Sequence, residues 1–464
     1  KRQRHVTMKR MHILVITAYL PWSAHGGGLL VGNLLRELSK RHDVTLLTYV
    51  EPGEDRHVPE VAALCRRLIT VPLHTHQPPV ATLEKKTDVS VPLVTSSVRR
   101  AWRALPLPVR TTASDILHIP ERLRQCRQTP WPAEVTARQT PEFAAALAQL
   151  VRDNGYEVAI AEWPEMVPYY HLLLARAVKV FDSIELRSIT YRRRIWRQQR
   201  IGAALLWFLE WRKMRRVEAL ATGYFDVVTA VSSREARVLR SYSGGAQVVA
   251  DPVGLDLAGW PREDPGPRCQ ATLVFLGRMS YGPNQDAVRY FLARIYPRIR
   301  ARIPYVRFWV IGGDPPADIA AHDNHDGISV TGFVSDVGEY LLKGTLFVLP
   351  MRQGAGIKVK AMEAMAAGIP IVSTPKGVEG LDLAIEGRDL FVARTSAGFV
   401  ARTVQLLLDR RLRLSTAKHA RRVVWEHYSS AVNVGRLETL YAGKVQQRRT
   451  GLPISGSEGV VGGL

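Results

Sequence analysis

The segment LPMRQGAGIKVKAMEAMAAGIPIV, from Leu349 to Val372, holds the residue types and spacing best suited to chemistry. An apolar run ends at Leu349 and a Gly354-Ala355-Gly356 loop follows. A helix is expected from near Ile357, and a second apolar run starts by Ile369. Loop amides and a helix N-terminus together form an anion cradle of the kind that grips phosphate. Lys358 and Lys360 fall in the expected first turn, where cations oppose the helix dipole unless an anion is bound. That misfit favours phosphate binding over solvated charge. Glu363 follows about one turn later and suits ribose hydroxyls through charge-assisted hydrogen bonds.

Two more glycine sites follow apolar runs. Gly277-Arg278 closes the run in ATLVFLGRMS. An arginine there points into a cleft at the strand end and its fork matches a diphosphate; a surface arginine after a strand is the plainer reading. Gly26-Gly27-Gly28 precedes the helical pattern LLVGNLLRELSK. Glycine lets backbone approach a ligand closely, and the helix behind it favours phosphate or sugar. A dinucleotide fingerprint competes, with Glu51 at about the right distance for a ribose. Its third glycine is missing, since Leu29, Leu30 and Val31 follow. A tight strand-to-helix turn explains the same glycines equally well.

The elements that must position these residues are short apolar runs alternating with helical stretches. The clearest are Ile13–Thr17, Val44–Thr48, Val158–Ala161, Val178–Phe181, Val227–Val231, Leu273–Leu276, Phe308–Ile311, Leu346–Leu349 and Ile369–Ser373. Continuous apolar strands between amphipathic helices imply parallel sheets covered on both faces, an α/β class. Nine such strands exceed one compact sheet of this kind. GWPREDPGPRCQ breaks the pattern with three prolines. The expected organisation is therefore a doubly wound domain over 1–257, a linker over 258–269 and a second doubly wound domain over 270–425. Residues 426–447 read as a closing helix and 448–464 as a disordered tail rich in Gly and Ser. Residues 74–145, rich in Pro and Arg with weak periodicity, read as an insertion or mobile lobe. Two facing open sheets leave a cleft at the carboxyl ends of their strands.

Composition bounds the function. The 464 residues are 46% apolar and 23% charged, which excludes a disordered, collagen-like or disulfide-scaffold protein. A formal charge of +22 favours anionic partners. The three cysteines, Cys65, Cys126 and Cys269, have no metal or disulfide spacing, which fits a reducing compartment. No apolar run reaches the length of a membrane helix. A cytoplasmic location is expected. Arg187–Arg216 carries ten Arg and Lys residues, one acidic residue (Glu210), and interleaved Trp196, Leu205, Trp207, Phe208 and Trp211. On a helix this makes a cationic amphipathic surface suited to anionic lipid at the inner membrane face. A long domain helix with solvated arginines fits as well. No nucleic-acid fold signature accompanies the stretch, so no specific nucleic-acid partner is expected.

Taken together, GGGLLVGNLLRELSKRHDVTLLT, VADPVGLD, VFLGRMSYGPNQDAVRYF, VTGFVSD and GAGIKVKAMEAMAAGIPIVSTPKGVEGL resemble the family 4, or group 1, glycosyltransferases of the GT-B fold over nearly the whole chain. The resemblance implies two facing Rossmann-like domains, with a nucleotide-sugar donor on the second and an acceptor on the first. It also implies transfer with retention and without a bound metal or other cofactor, and no D-x-D motif of the metal-using type is present. Residue by residue, Arg278 is similar to the arginine on the donor diphosphate, and Glu363 to the second glutamate of a paired motif that holds the ribose. Gly332, Phe333 and Val334 resemble the turn that holds the base, and Gly354 to Ile357 the amides on phosphate and sugar. The first glutamate of the pair is Ala355 here, and Lys358 with Lys360 restores a charge usually placed after the Gly-Arg. The usual mid-domain histidine is missing. VAIAEWPE offers Glu162 and Glu165 instead, and His25 lies beside the triple glycine.

Breaking a sugar–phosphate bond builds negative charge on the β-phosphate, which fixed cations and oriented amides can stabilise in place of a metal. Arg278, Lys358 and the loop amides form such a set, with Glu162 as the acceptor-side candidate. The expected activity is hexosyl transfer from a nucleotide sugar to a lipid-linked or polysaccharide acceptor of the cell envelope. An inactive scaffold of the same fold and a nucleotide-sugar epimerase are the alternatives.

Overall fold

Strands that are apolar on both faces are stable only when helices cover both sides, and the chain folds accordingly into two parallel sheets. The computed structural model describes residues 9–22, 26–73, 129–153, 155–196, 201–251, 254–266, 268–354 and 356–450. The first sheet comprises β1 (His12–Thr17), β2 (Asp43–Val50), β3 (Arg67–Pro72), β4 (Val158–Glu162), β5 (Val178–Ser183), β6 (Val227–Ala230) and β7 (Gln247–Ala250), ordered 3-2-1-4-5-6-7. The second comprises β8 (Thr272–Leu276), β9 (Arg307–Ile311), β10 (Ile328–Gly332), β11 (Leu346–Leu349), β12 (Ile371–Ser373) and β13 (Phe391–Val392), ordered 10-9-8-11-12-13. Both orders reverse once, at β1/β4 and at β8/β11, and ligands of open α/β sheets bind at the strand carboxyl ends beside such a reversal.

The helices that shape the site are α1 (Gly26–Ser39), α2 (Arg187–Ile195), α3 (Ile201–Tyr224), α4 (Ser233–Arg240), α5 (Gly282–Arg294), α6 (Val359–Ala366) and α7 (Ser430–Thr450). Although α7 follows the second domain in sequence, it packs on α1 of the first. Leu255 pairs with Ser429 in an isolated parallel bridge where the chain returns. Glu438 then takes Arg41, and the α7 arginines Arg448 and Arg449 reach Asp226 and Glu157.

Several expectations change. The triple glycine is not a turn before α1 but its first turn, since α1 starts at Gly26. The helix after the Gly354 loop starts at Val359 rather than near Ile357. The C-terminal helix runs through Thr450, so Arg448 opens no disordered tail; residues 451–464 lie outside the described residues. Of the expected insertion, 74–128 also lie outside them. Its remainder is core: the helices Ala133–Thr136 and Pro141–Asp153 bury Val135 and Phe143 completely.

Candidate functional site

The second domain brings its expected residues to the ends of β8 to β11. Gly277 stands where a Cβ would lie 2.5 Å from Lys360 Nζ and 2.7 Å from Asn284 Nδ2, so only glycine leaves room for both. Lys360 donates to Asn284 Oδ1 at 2.7 Å and sits 4.8 Å from the centroid of Phe275. Burial, reinforced by Lys358, pushes its pKa down to about 7. Lys358 caps α6, folds back to donate to the Gly356 carbonyl at 2.6 Å, and is only 8% exposed. Burial lowers its pKa to about 8. Gly354 and Gly356 both have positive φ, 102° and 67°, a backbone conformation that favours glycine. Glu363, half-buried one turn into α6, is pushed up to about 7 by burial, against the pull of Lys360. Two desolvated ammonium groups beneath a glycine loop have what an anion needs and lack water.

Arg278 is exposed and held by Asp314 Oδ2 at 3.1 Å, so it lies at the rim of this cradle. Asp314 follows Gly312-Gly313 at the end of β9, and Gly312 cannot carry a Cβ because it would meet the Gly277 carbonyl oxygen at 2.1 Å. The end of β10 presents Gly332 with φ 67° and Phe333 with 83% of its surface exposed, a free aromatic face beside Val334. Ala355 and His25 lie outside the described residues.

Across the cleft, Glu379 of the loop after β12 joins the domains. Its carboxylate takes Lys376 at 2.5 Å, Arg234 of α4 at 2.9 Å and a two-pronged contact from Arg193 of α2. The Ser233 amide donates to Asp382 beside it. These contacts bound a cavity of about 410 Å³ that Gly356 and Glu235 also line. Glu185 reaches the same loop: its Cγ lies 3.9 Å from where a Gly356 Cβ would be. None of Asn284, Asp314, Glu235 or Glu379 stood out as a site residue in the sequence. Glu379 lay within the quoted TPKGVEGL, and Glu235 reads there as an ordinary capping-box glutamate of SSRE.

On the first domain, Trp163 has φ 75°, an unusual backbone for a bulky residue, and its ring fills the space a Gly27 Cβ would occupy, at 2.5 Å. That contact explains glycine in a helical first turn, and Gly26, Gly27 and Gly28 stand on the opposite domain from the Gly354–Gly356 loop. Glu165 is fully buried, 2.5 Å from Arg187, and accepts from the Tyr19 hydroxyl at 2.8 Å. It is a paired carboxylate rather than a free base. Glu51 is taken by Arg138, which removes it as a ribose ligand. Tyr169 is core, bonded to Tyr49.

The basic stretch divides. Arg187 is buried and Arg193 belongs to the Glu379 cluster. Arg194 and Arg215 stack on Trp207 and Trp211, at 4.6 and 5.1 Å. Trp196, Leu205 and Phe208 stay exposed beside Arg192, Arg212 and Arg216. No helix among the described residues is long and apolar enough to cross a membrane.

Solved structures share this architecture. HepE of Anabaena in complex with UDP superposes with a TM-score of 0.59 at 13% identity, covering 93% of this chain and 99% of that one. Sucrose-phosphate synthase of Thermosynechococcus elongatus gives 0.60 at 17% identity, covering 93% and 98%. A TarM variant of S. aureus with Fondaparinux, alpha-GlcNAc-glycerol and UDP gives 0.60 at 11% identity, covering 93% and 100%. The fold is GT-B. Residues 270–409, within the second domain, match the family described as glycosyl transferases group 1. No curated protein sequence matches the chain.

Glu162 does not face the cleft. In register across the sheet stand Thr17, Glu162, Asp182 and Thr229, on the face that α1 and α7 cover. Glu162 is 0% exposed, and neither carboxyl oxygen has a hydrogen-bond partner among the described residues. Burial, then Asp182, raise its pKa well above the ordinary carboxyl value. A raised folded-state pKa means the folded protein binds more protons than the unfolded chain, so stability falls as pH rises above the ordinary carboxyl range. Glu162→Gln is therefore expected to raise Tm at pH 8, by about 1–3 kcal/mol of stability, with the gain shrinking toward pH 5. Thermal melts at the two pH values check this; a variant equal to or below wild type at both contradicts it.

Proposed function

We propose that this protein transfers a hexose from a nucleoside-diphosphate donor on its second domain to an acceptor docked on its first, with retention and without a metal. The observation that carries the reading is the glycine loop beside Lys358 and Lys360, two cations gathered at one helix start whose pKa values burial lowers to about 8 and about 7. Leaving-group charge on the β-phosphate falls beside Lys358, the loop amides and Arg278, fixed donors that need no reorganisation. Glu363 takes the ribose, and Phe333 with Gly332 and Val334 offers a face for the base. The UDP bound to the Anabaena neighbour and the family match of residues 270–409 support this. Lys358→Ala is expected to lower kcat at saturating donor by roughly 10²–10³, with Tm within a few degrees of wild type. Release of nucleoside diphosphate, assayed with a lipid-linked saccharide acceptor, reads this out; an unchanged kcat removes Lys358 from the chemistry.

The acceptor is lipid-linked or polysaccharide, met at the cytoplasmic membrane face. Trp196, Leu205 and Phe208 project beside exposed arginines, a pairing suited to anionic headgroups. The chain is expected to sediment with phosphatidylglycerol vesicles and not with phosphatidylcholine ones, and the Leu205→Ser/Phe208→Ser variant to sediment less. Equal recovery with both lipids would remove the membrane from this account.

A further inference from the structure

The cavity between the domains contains a group that neither the fold nor the proposed chemistry uses. Glu235, in the first turn of α4, lines that cavity and is only 7% exposed. The Leu186 amide donates to its carboxyl, but Oε2 has no hydrogen-bond partner among the described residues. A buried carboxyl oxygen left unmatched carries a desolvation cost that a ligand can recover. Gly356 lies in the same wall, so the cavity adjoins the loop that the donor reading gives to the phosphate. At about 410 Å³ the cavity has the size of a small-molecule site.

We propose that this cavity receives the sugar ring of the donor, and that Glu235 is the first-domain residue that binds its hydroxyls. The inference rests on the donor reading above and adds a residue from the opposite domain to it. A sugar fits better than a second phosphate. The three cations of the cavity, Arg193, Arg234 and Lys376, are already engaged by Glu379. Burial, then Glu185, Glu218 and Glu379, push its pKa up to about 8, so near neutral pH its carboxyl both donates and accepts. Vicinal hydroxyls need both functions. Because Glu235 belongs to the first domain, its contact with the sugar also makes donor binding sense whether the domains are together.

The test is calorimetric titration of the full chain with three pairs: UDP and UDP-glucose, GDP and GDP-mannose, dTDP and dTDP-glucose. Wild type is compared with Glu235→Ala and Glu235→Gln. The expected result is nucleotide affinity within about threefold of wild type in both variants. The extra affinity conferred by the sugar should be lost in the alanine variant and partly kept in the glutamine one. Sugar-dependent affinity that is unchanged in both variants, or absent from wild type while the nucleotide binds, overturns the assignment of Glu235. Wild type binding none of the nucleotides overturns the donor reading itself. The near-isosteric glutamine variant serves as the folded comparison if the alanine variant is unstable.

Discussion

Two ammonium groups withheld from water beneath a glycine loop are the constraint around which the second domain is arranged. Burying a cation is costly unless something answers its charge. Lys360 donates to a side-chain amide oxygen and lies against an aromatic face, with Glu363 one turn away, and Lys358 donates to a backbone carbonyl. The neighbouring residues are those that keep both ammonium groups close to the loop. Gly277 leaves space for Lys360, Asn284 in the first turn of α5 orients it, and Gly312 lets the β8 and β9 ends approach. Gly354 and Gly356 turn the loop through backbone angles that side chains resist. Under the proposed reading, phosphate answers the charge that burial leaves costly.

The same economy of charge governs how the domains meet. Glu379 is one carboxylate shared among Lys376 of its own loop and Arg193 and Arg234 from the other domain. Its pKa is lowered despite burial, because those cations outweigh the desolvation. The arginine-rich helices that look in the sequence like one continuous cationic surface therefore do three jobs. They brace the first-domain core through Arg187, hold the cleft through Arg193, and leave an aromatic and basic patch at Trp196, Leu205 and Phe208. The last helix, α7, fixes the first domain after the chain has completed the second, so the first domain is finished by a segment distant in sequence.

What was legible in the sequence follows burial. All nine central strands announce themselves as apolar runs, because both their faces are covered. The four that do not, β3, β7, β10 and β13, are the outermost strands of the two sheets. Their residues are mostly half-buried, as in the exposed–intermediate pattern of Gln247–Ala250, so no continuous run forms. The strand, glycine loop and helix around Gly354 were legible because they are contiguous. Glu162 misled for the opposite reason. Period-2 alternation puts it on the face of Val158 and Ile160, and in a strand apolar on both sides nothing in the residue types says which face meets the cleft. Glu235 was hidden because SSRE reads as a capping box, whereas its carboxyl takes the Leu186 amide instead, and Gly27 by a tryptophan more than a hundred positions away.

The most direct test of the anion site is a proton count. Calorimetry of UDP, GDP and dTDP binding at pH 8 with a chelator present, in two buffers of different ionisation enthalpy, measures it. A nucleoside diphosphate seated beside Lys358 and Lys360 must recharge ammonium groups whose pKa values burial lowers to about 8 and about 7. The account predicts that one nucleotide binds with uptake of roughly one proton. Binding of none, or binding with no proton taken up, would contradict it.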